Sequence, residues 1–283
     1  MPEVRSPTVR RRELGALLRT LRNENGLTVE QVAERLLCSP SKVSRMETGR
    51  GVATPRDIRD LCDLYDVTDE AERDHMMLLA HESKQQGWWH SHDLDFGTYV
   101  GLEDAAVAIM YYHSTTIPGL LQTADYARAV HDVVVPKLLP ERIDELVEVR
   151  MTRQRRLLQD NRPRFTAVID EAALHRIVGG REVMAVQLDK VLQMSAMPRV
   201  EIQVLPYEAG AHPAMESNFS IIELPSPTTG IVFVEGLIGS VYLERAQDLE
   251  RYHAVFEWLQ SVALGPQDTA DLIAAVSRSY KGD

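Results

Sequence analysis

The sequence predicts an α+β chain, in which an all-α head of five short helices precedes a larger α+β domain with a mainly antiparallel sheet of about five strands. Three observations predict it. Apolar residues recur at helical spacing from Leu14 to Ala80. From Pro163 onward the pattern changes to short β-branched runs bounded by Pro, Gly or Asn. Charge also divides the chain: residues 1–60 hold 12 basic and 8 acidic side chains, whereas residues 61–283 hold 19 and 34. The whole carries a formal net charge of −11 at pH 7, so any affinity for a polyanion belongs to one face of the head. No run of 18 apolar residues is present, and no membrane span is expected. The first residues have no apolar stretch of the secretory kind, and Cys38 and Cys62 stand outside any CxxC motif. A cytoplasmic, nucleoid-associated protein with two reduced thiols is expected.

Leu14, Leu17, Leu18 and Leu21 form one stripe of a first helix, which Asn25-Gly26 ends. Arg10, Arg11 and Arg12 precede that stripe and read equally as a solvated helix end or as an arm for DNA phosphates. Thr28 caps a second helix with Val29, Val32, Ala33 and Leu36 inward. After the break Leu37-Cys38-Ser39, Ser39 and Pro40 are suited to the N-cap and first position of a third. On it Val43 and Met46 point inward, and Ser41, Ser44 and Arg45 share the outer face with Lys42 beside them. Gly49 ends it. Thr54-Pro55 opens a fourth helix carrying Ile58, Leu61, Cys62 and Tyr65. A fifth starts near Asp69 and carries Met76, Met77, Leu79 and Ala80.

This order, on "LRNENGLTVEQVAERLLCSPSKVSRMETG" and over roughly Leu14 to Val67, resembles the lambda-repressor-like helix-turn-helix domain of the Cro/xenobiotic-response-element type. The resemblance implies that the third helix enters the major groove with its N-terminal residues at base edges. Ser39, Pro40, Ser41, Ser44 and Arg45 then face bases, and the Arg45 guanidinium can bond guanine O6 and N7 together. Lys42, Arg50 and Gln31 become the phosphate candidates. Val29 stands where the family often has a phosphate-contacting Gln, and Gln31 follows two residues later. Arg22 and Glu47 match a structural ion pair of the family, which removes Glu47 from consideration as a catalytic acid.

The expected division is a helix-turn-helix domain at 9–80, a linker at 81–101 and an α+β regulatory, dimerisation or partner-binding domain at 102–283. Trp88-Trp89 in the linker suggests that one indole docks in the core of the larger domain. His90, His92, Asp93 and Asp95 make an H-x-H-D-x-D pattern without a further matching cluster, so no metal is expected. Helical spacing runs from Leu102 to Tyr112, again from about Thr123, and from Pro140 to Asp160. The last of these carries Arg150, Arg153, Arg155 and Arg156, expected on an exposed face paired to acidic surroundings rather than as a second DNA contact. "RFTAVID", "RVEIQVLP", "NFSIIELP", "GIVFVEG" and "GSVYLER" read as strands. Helices Glu171–Val178 and Glu182–Ala196 separate the first two, the last three form an antiparallel meander, and helices near Asp248–Ala263 and Thr269–Ser279 close the chain. No nucleotide-binding, zinc-protease or serine-hydrolase motif is present. Asp170 is suited to an N-cap, His212 is an isolated loop histidine and Ser240 has no base in reach. No catalytic residue and no cofactor are expected.

A second resemblance rests on "IPGLLQTADYARAV", "RMTRQRRLL", "VIDEAALHRIVGG", "IQVLPYEAGAHPAMESNFSIIELP" and "VFVEGLIGSVYLE" in that order. The chain is similar to actinobacterial regulators with a WhiJ-like C-terminal domain of formerly unknown function. This implies a sequence-specific transcriptional regulator, expected to be a repressor, that binds a double-stranded DNA operator. It also implies a small BldB-like partner protein on the larger domain. A homodimer would read half-sites about 34 Å apart. The other classes are an antitoxin-like module that mainly binds a small cognate protein, a small-molecule sensor with a closed apolar pocket, and an enzyme with clustered polar residues in a cleft.

Overall fold

A computed structural model describes residues 6–92, 94, 96–134, 138–225, 230–236 and 239–282. Asp93 and Asp95 of the possible metal pattern lie outside them. Contacts divide the chain into two compact units, with the boundary at Ala105–Ala106.

The first unit holds α1 (Pro7–Glu24), α2 (Val29–Arg35), α3 (Pro40–Glu47), α4 (Pro55–Leu64), α5 (Glu70–Glu82) and α6 (Gly97–Ala105). Side chains of Thr28, Ser39, Thr54 and Asp69 cap α2 to α5, which is why these helices begin where the sequence predicts. Leu14, Leu18, Val32, Val43, Met46, Ile58, Leu61, Met76 and Leu79 form one core. Each such side chain contributes roughly 1.5–3 kcal/mol by leaving water.

Two expectations fail here. The helix containing Leu14 already begins at Pro7, so Arg10, Arg11 and Arg12 are helical and partly or fully buried. Arg10 pairs with Glu82 at 2.6 Å, Arg11 donates to the Ser83 carbonyl at 3.1 Å, and Arg12 is buried. They are therefore no free arm for phosphates. The end of α5 supplies the partners of Arg10 and Arg11, and α6 also packs on α1, where the Ser6 hydroxyl donates to the Gly101 carbonyl at 2.8 Å in a buried bond. Second, the buried Trp89 docks in this unit rather than in the larger domain. A Cβ on Gly101 would fall 2.7 Å from its ring. The segment read as a linker is thus built into the first unit.

The second unit runs β1 (Ala108–His113), α7 (Ala124–Val134), α8 (Pro140–Gln154), β2 (Arg164–Asp170), α9 (Glu171–His175), α10 (Arg181–Ser195), β3 (Val200–Leu205), β4 (Phe219–Glu223), β5 (Ile231–Glu235), β6 (Ser240–Leu243), α11 (Ala246–Val262) and α12 (Pro266–Lys281). Its sheet has six strands in the order β3-β2-β1-β4-β5-β6. The pairs β1/β2 and β2/β3 are parallel, and β1/β4, β4/β5 and β5/β6 are antiparallel. The sheet is mixed, and the expectation of a mainly antiparallel five-stranded sheet is corrected. Helical crossovers α7–α8 and α9–α10 impose the parallel half.

The missed strand is β1, which the sequence placed in a helix from Leu102 to Tyr112. Its first five residues are all buried, and it lies inside the sheet between β2 and β4. A strand buried on both faces has no alternation, and such an apolar run resembles a helix segment. Met110, Tyr112, Val168, Phe219, Ile221, Val232, Phe256 and Leu259 form the core that joins the sheet to α11.

The arginines of α8 also depart from expectation. Arg153 is buried, and Arg150 donates to Gln122 Oε1. Gln154 donates to the carbonyls of Gly119 and Gln122 at 2.9 and 2.7 Å. Lys190 Nζ donates to the Gln122 carbonyl at 2.7 Å and to Gln154 Oε1 at 2.6 Å. The end of α8 therefore runs into a buried polar crossing around the 3-10 turn Gly119–Leu121. Of the four arginines in the basic run, only Arg155 is exposed.

Candidate nucleic-acid interface

The helix pair α2–α3 is built from local signals. Thr28 and Gln31 form a reciprocal cap: the Gln31 N–H donates to Thr28 Oγ1 at 3.2 Å and the Thr28 N–H to Gln31 Oε1 at 2.8 Å. Gln31 therefore has a structural task, and only its amide NH2 is left to meet a phosphate. The Ser39 hydroxyl accepts from the Lys42 N–H at 3.2 Å, and Pro40 fills the first helical position. Val43, Met46 and Glu47 of α3 are buried, while Pro40, Ser41, Lys42, Ser44 and Arg45 are exposed. The predicted outer face is thus the actual one.

Two devices hold α3 against α1. Arg22 grips Glu47 with two bonds, Nε to Oε1 at 2.6 Å and Nη2 to Oε2 at 3.0 Å, and its Nη1 donates to the Leu27 carbonyl at 2.9 Å. The bond to Glu47 raises the guanidinium pKa above its ordinary value. The second device is Gly15, where a Cβ would stand 2.5 Å from the Met46 carbonyl oxygen. Only glycine lets α1 approach the end of α3 this closely. A glycine inside an otherwise helical apolar pattern was the available signal for it.

Lys42 and the two arginines differ in their freedom. Lys42 Nζ lies 2.6 Å from Asp57 Oδ1. Asp57 also accepts from the Thr54 N–H and hydroxyl at 2.9 and 2.7 Å, closing the cap of α4. Burial raises the Asp57 carboxyl pKa, but its bonds to Lys42 and Thr54 outweigh this and leave it below the ordinary value. Thr54-x-x-Asp57 is a capping-box spacing, which could have placed this carboxylate beside α3. Arg45 and Arg50 are exposed, and no carboxylate among the described residues holds either. For a polyanion, Asp57 is a local repulsion that also occupies Lys42. Asp57→Asn keeps acceptor capacity for Thr54 and removes that charge. The variant is expected to bind random-sequence duplex about 2- to 5-fold more tightly at low salt, as a surface charge term allows. Its advantage should vanish near 1 M salt; titration at both salt concentrations checks this.

Charge is arranged more finely than a basic head and an acidic body. Residues 61–105, which belong to the first unit, carry 2 basic and 11 acidic side chains. Asp60, Asp63, Asp66, Asp69, Glu70, Glu72 and Asp74 are all exposed on and around α4 and α5. Helix α1 packs against both α3 and α5. The unit therefore carries exposed carboxylates on α4 and α5 as well as the cations of α3, and α4 meets α3 at the Lys42–Asp57 pair.

In the second unit Asp170 caps α9 through the Ala172 N–H at 2.8 Å, as expected. His212 Nδ1 accepts from the Ala214 N–H, and Nε2 lies 3.3 Å from the Tyr112 hydroxyl and 3.9 Å from Asp170. This ties the loop after β3 to the sheet. A cavity of about 510 Å³ lies beside α11, but it opens to solvent and is edged by Glu223, Glu250 and Glu257. Among the described residues no group of three His, Cys, Asp or Glu could hold a metal, and no helix is long and apolar enough to cross a membrane.

Comparison with known families matches a helix-turn-helix domain to residues 13–76 and a domain of unknown function, DUF5753, to residues 96–275. No curated protein and no solved structure matches the chain.

Proposed function

The chain belongs to the DUF5753 family, and from its helix-turn-helix head and that membership we propose a DNA-binding transcriptional regulator of the Cro/xenobiotic-response-element type that acts as a repressor. Helix α3 enters the major groove, Arg45 reads guanine, and Ser41 and Ser44 approach neighbouring base edges. Arg50 and Lys42 meet phosphates, Lys42 by exchanging Asp57 for the backbone. The observation that carries this reading is an exposed α3 face with Arg45 unheld, on a helix whose inner face is fixed by a bidentate buried ion pair. The second unit serves assembly into a homodimer and response to a small WhiJ-system partner protein of the BldB-like kind, as the resemblance implies.

Arg45→Ala is expected to cost about 1–3 kcal/mol on the preferred duplex and to relax the preference at one base position. Arg50→Ala should weaken all duplexes alike and reduce the salt slope by about 1. Binding titrations on selected and random duplexes at several salt concentrations separate the two. Equal losses for Arg45→Ala on both duplexes would refute base reading by Arg45.

A further inference from the structure

We infer that Leu37 is an apolar contact residue of the DNA-reading surface, an assignment that rests on the DNA-binding function proposed above. Leu37 forms the turn between α2 and α3 with φ of 51°, in the left-handed region. A Cβ is strained there and glycine is not. Its side chain is also 94% exposed, so no burial offsets the strain. The flanking Leu36 and Cys38 pack against the core of the unit. Backbone bonds from the Leu37 N–H to the Glu34 carbonyl and from the Cys38 N–H to the Ala33 carbonyl fix the turn. Backbone conformation and apolar hydration thus both disfavour leucine at one position, and glycine would relieve both. An outlier held by well-formed surroundings points to function rather than to folding.

Its place in the chain indicates which function. Leu37 precedes Ser39, the cap of α3, by two residues, and Ser39, Pro40 and Ser41 beyond it are exposed. That is the end of α3 that approaches base edges when such a helix docks. The hydroxyls of this end can bond base edges, but the C5 methyl of thymine needs an apolar neighbour. A leucine side chain at the entry to the helix supplies one, and its exposure in the free protein is then the surface that DNA covers.

The test uses the full chain, the best duplex recovered from a randomised pool and a random-sequence duplex of equal length. Leu37→Gly and Leu37→Asn should leave the thermal midpoint unchanged or raise it by about 2–5 °C, because both residues accept the left-handed region. On the selected duplex both should bind roughly tenfold more weakly, with less than about twofold change on the random one. Leu37→Met, which keeps the apolar surface, should stay within about threefold of the parent on the selected duplex. Undiminished affinity of Leu37→Gly for the selected duplex overturns the assignment, including when binding of another protein is what that variant loses. A lowered midpoint for both Gly and Asn variants removes the strain and overturns it as well. A parent chain that selects no duplex refutes the DNA-binding function itself.

Discussion

Arg22→Met is expected to destabilise the first unit by about 3–5 kcal/mol, the range for removing one partner of a buried ion pair. The Glu47 side chain is 6% exposed, and Arg22 supplies both of its charge-assisted bonds. Methionine fills much of the volume but offers no donor, so the carboxylate stays buried without compensation. The Leu27 carbonyl, which accepts from Arg22 at 2.9 Å, loses its bond in the same step. Domains are stable by only about 5–15 kcal/mol, so the variant approaches the unfolding threshold. Removing both charges is a different matter. Arg22→Met combined with Glu47→Leu should recover at least half of the loss, because the main cost of the single change is the stranded charge rather than the absent attraction. Urea unfolding of the parent, both single variants and the double variant closes the cycle. A single-variant cost below about 1 kcal/mol would mean that water reaches Glu47 and that the pair does not anchor α3.

The head was legible because each of its helices carries its own start signal. Thr28, Ser39-Pro40 and Thr54-Pro55 cap α2, α3 and α4, and these local bonds depend on nothing remote. The outer face of α3 followed from periodicity alone. Contacts between distant residues were not legible in that way. Arg22 and Glu47 are 25 residues apart and were paired only through the family resemblance, and Lys42–Asp57 was missed. One indole of Trp88-Trp89 was expected to be buried and Trp89 is, but an apolar side chain does not specify what buries it. The same limit moved the charge boundary: the acidic stretch that follows residue 60 belongs to the same compact unit as the basic helices. Strand β1 lost its alternation through two-sided burial. Arg150 and Arg153 were placed in solvent because charge predicts exposure, whereas Arg150 turns inward to a glutamine beside the carbonyls of a 3-10 turn. Residue type does not show that such backbone acceptors will be waiting.

Two imidazoles near those arginines should give the second unit a pH-dependent stability. His113, at the end of β1, and His131, on α7, are both held down to about pKa 4, first by burial and then by the positive charges of Arg150 and Arg153. In the unfolded chain both titrate near 6.5. Below that pH the unfolded state takes up protons that the folded state refuses. The stability these imidazoles contribute is therefore fully present above pH 6.5 and is lost progressively as pH falls from 6.5 to 4. The loss should reach about 3 kcal/mol for each imidazole, enough to move the acid unfolding transition of this unit. His113→Asn preserves a polar partner for the Thr116 hydroxyl, which lies 3.4 Å from Nδ1. His131→Leu removes a buried Nε2 that has no hydrogen-bond partner among the described residues. The double variant should retain more of its neutral-pH stability at pH 4.5 than the parent does, with the two profiles converging above pH 7. Thermal midpoints measured from pH 4 to 8 decide the matter. Parallel profiles for parent and double variant would assign acid unfolding to carboxylates, and the two imidazoles would then have no share in it.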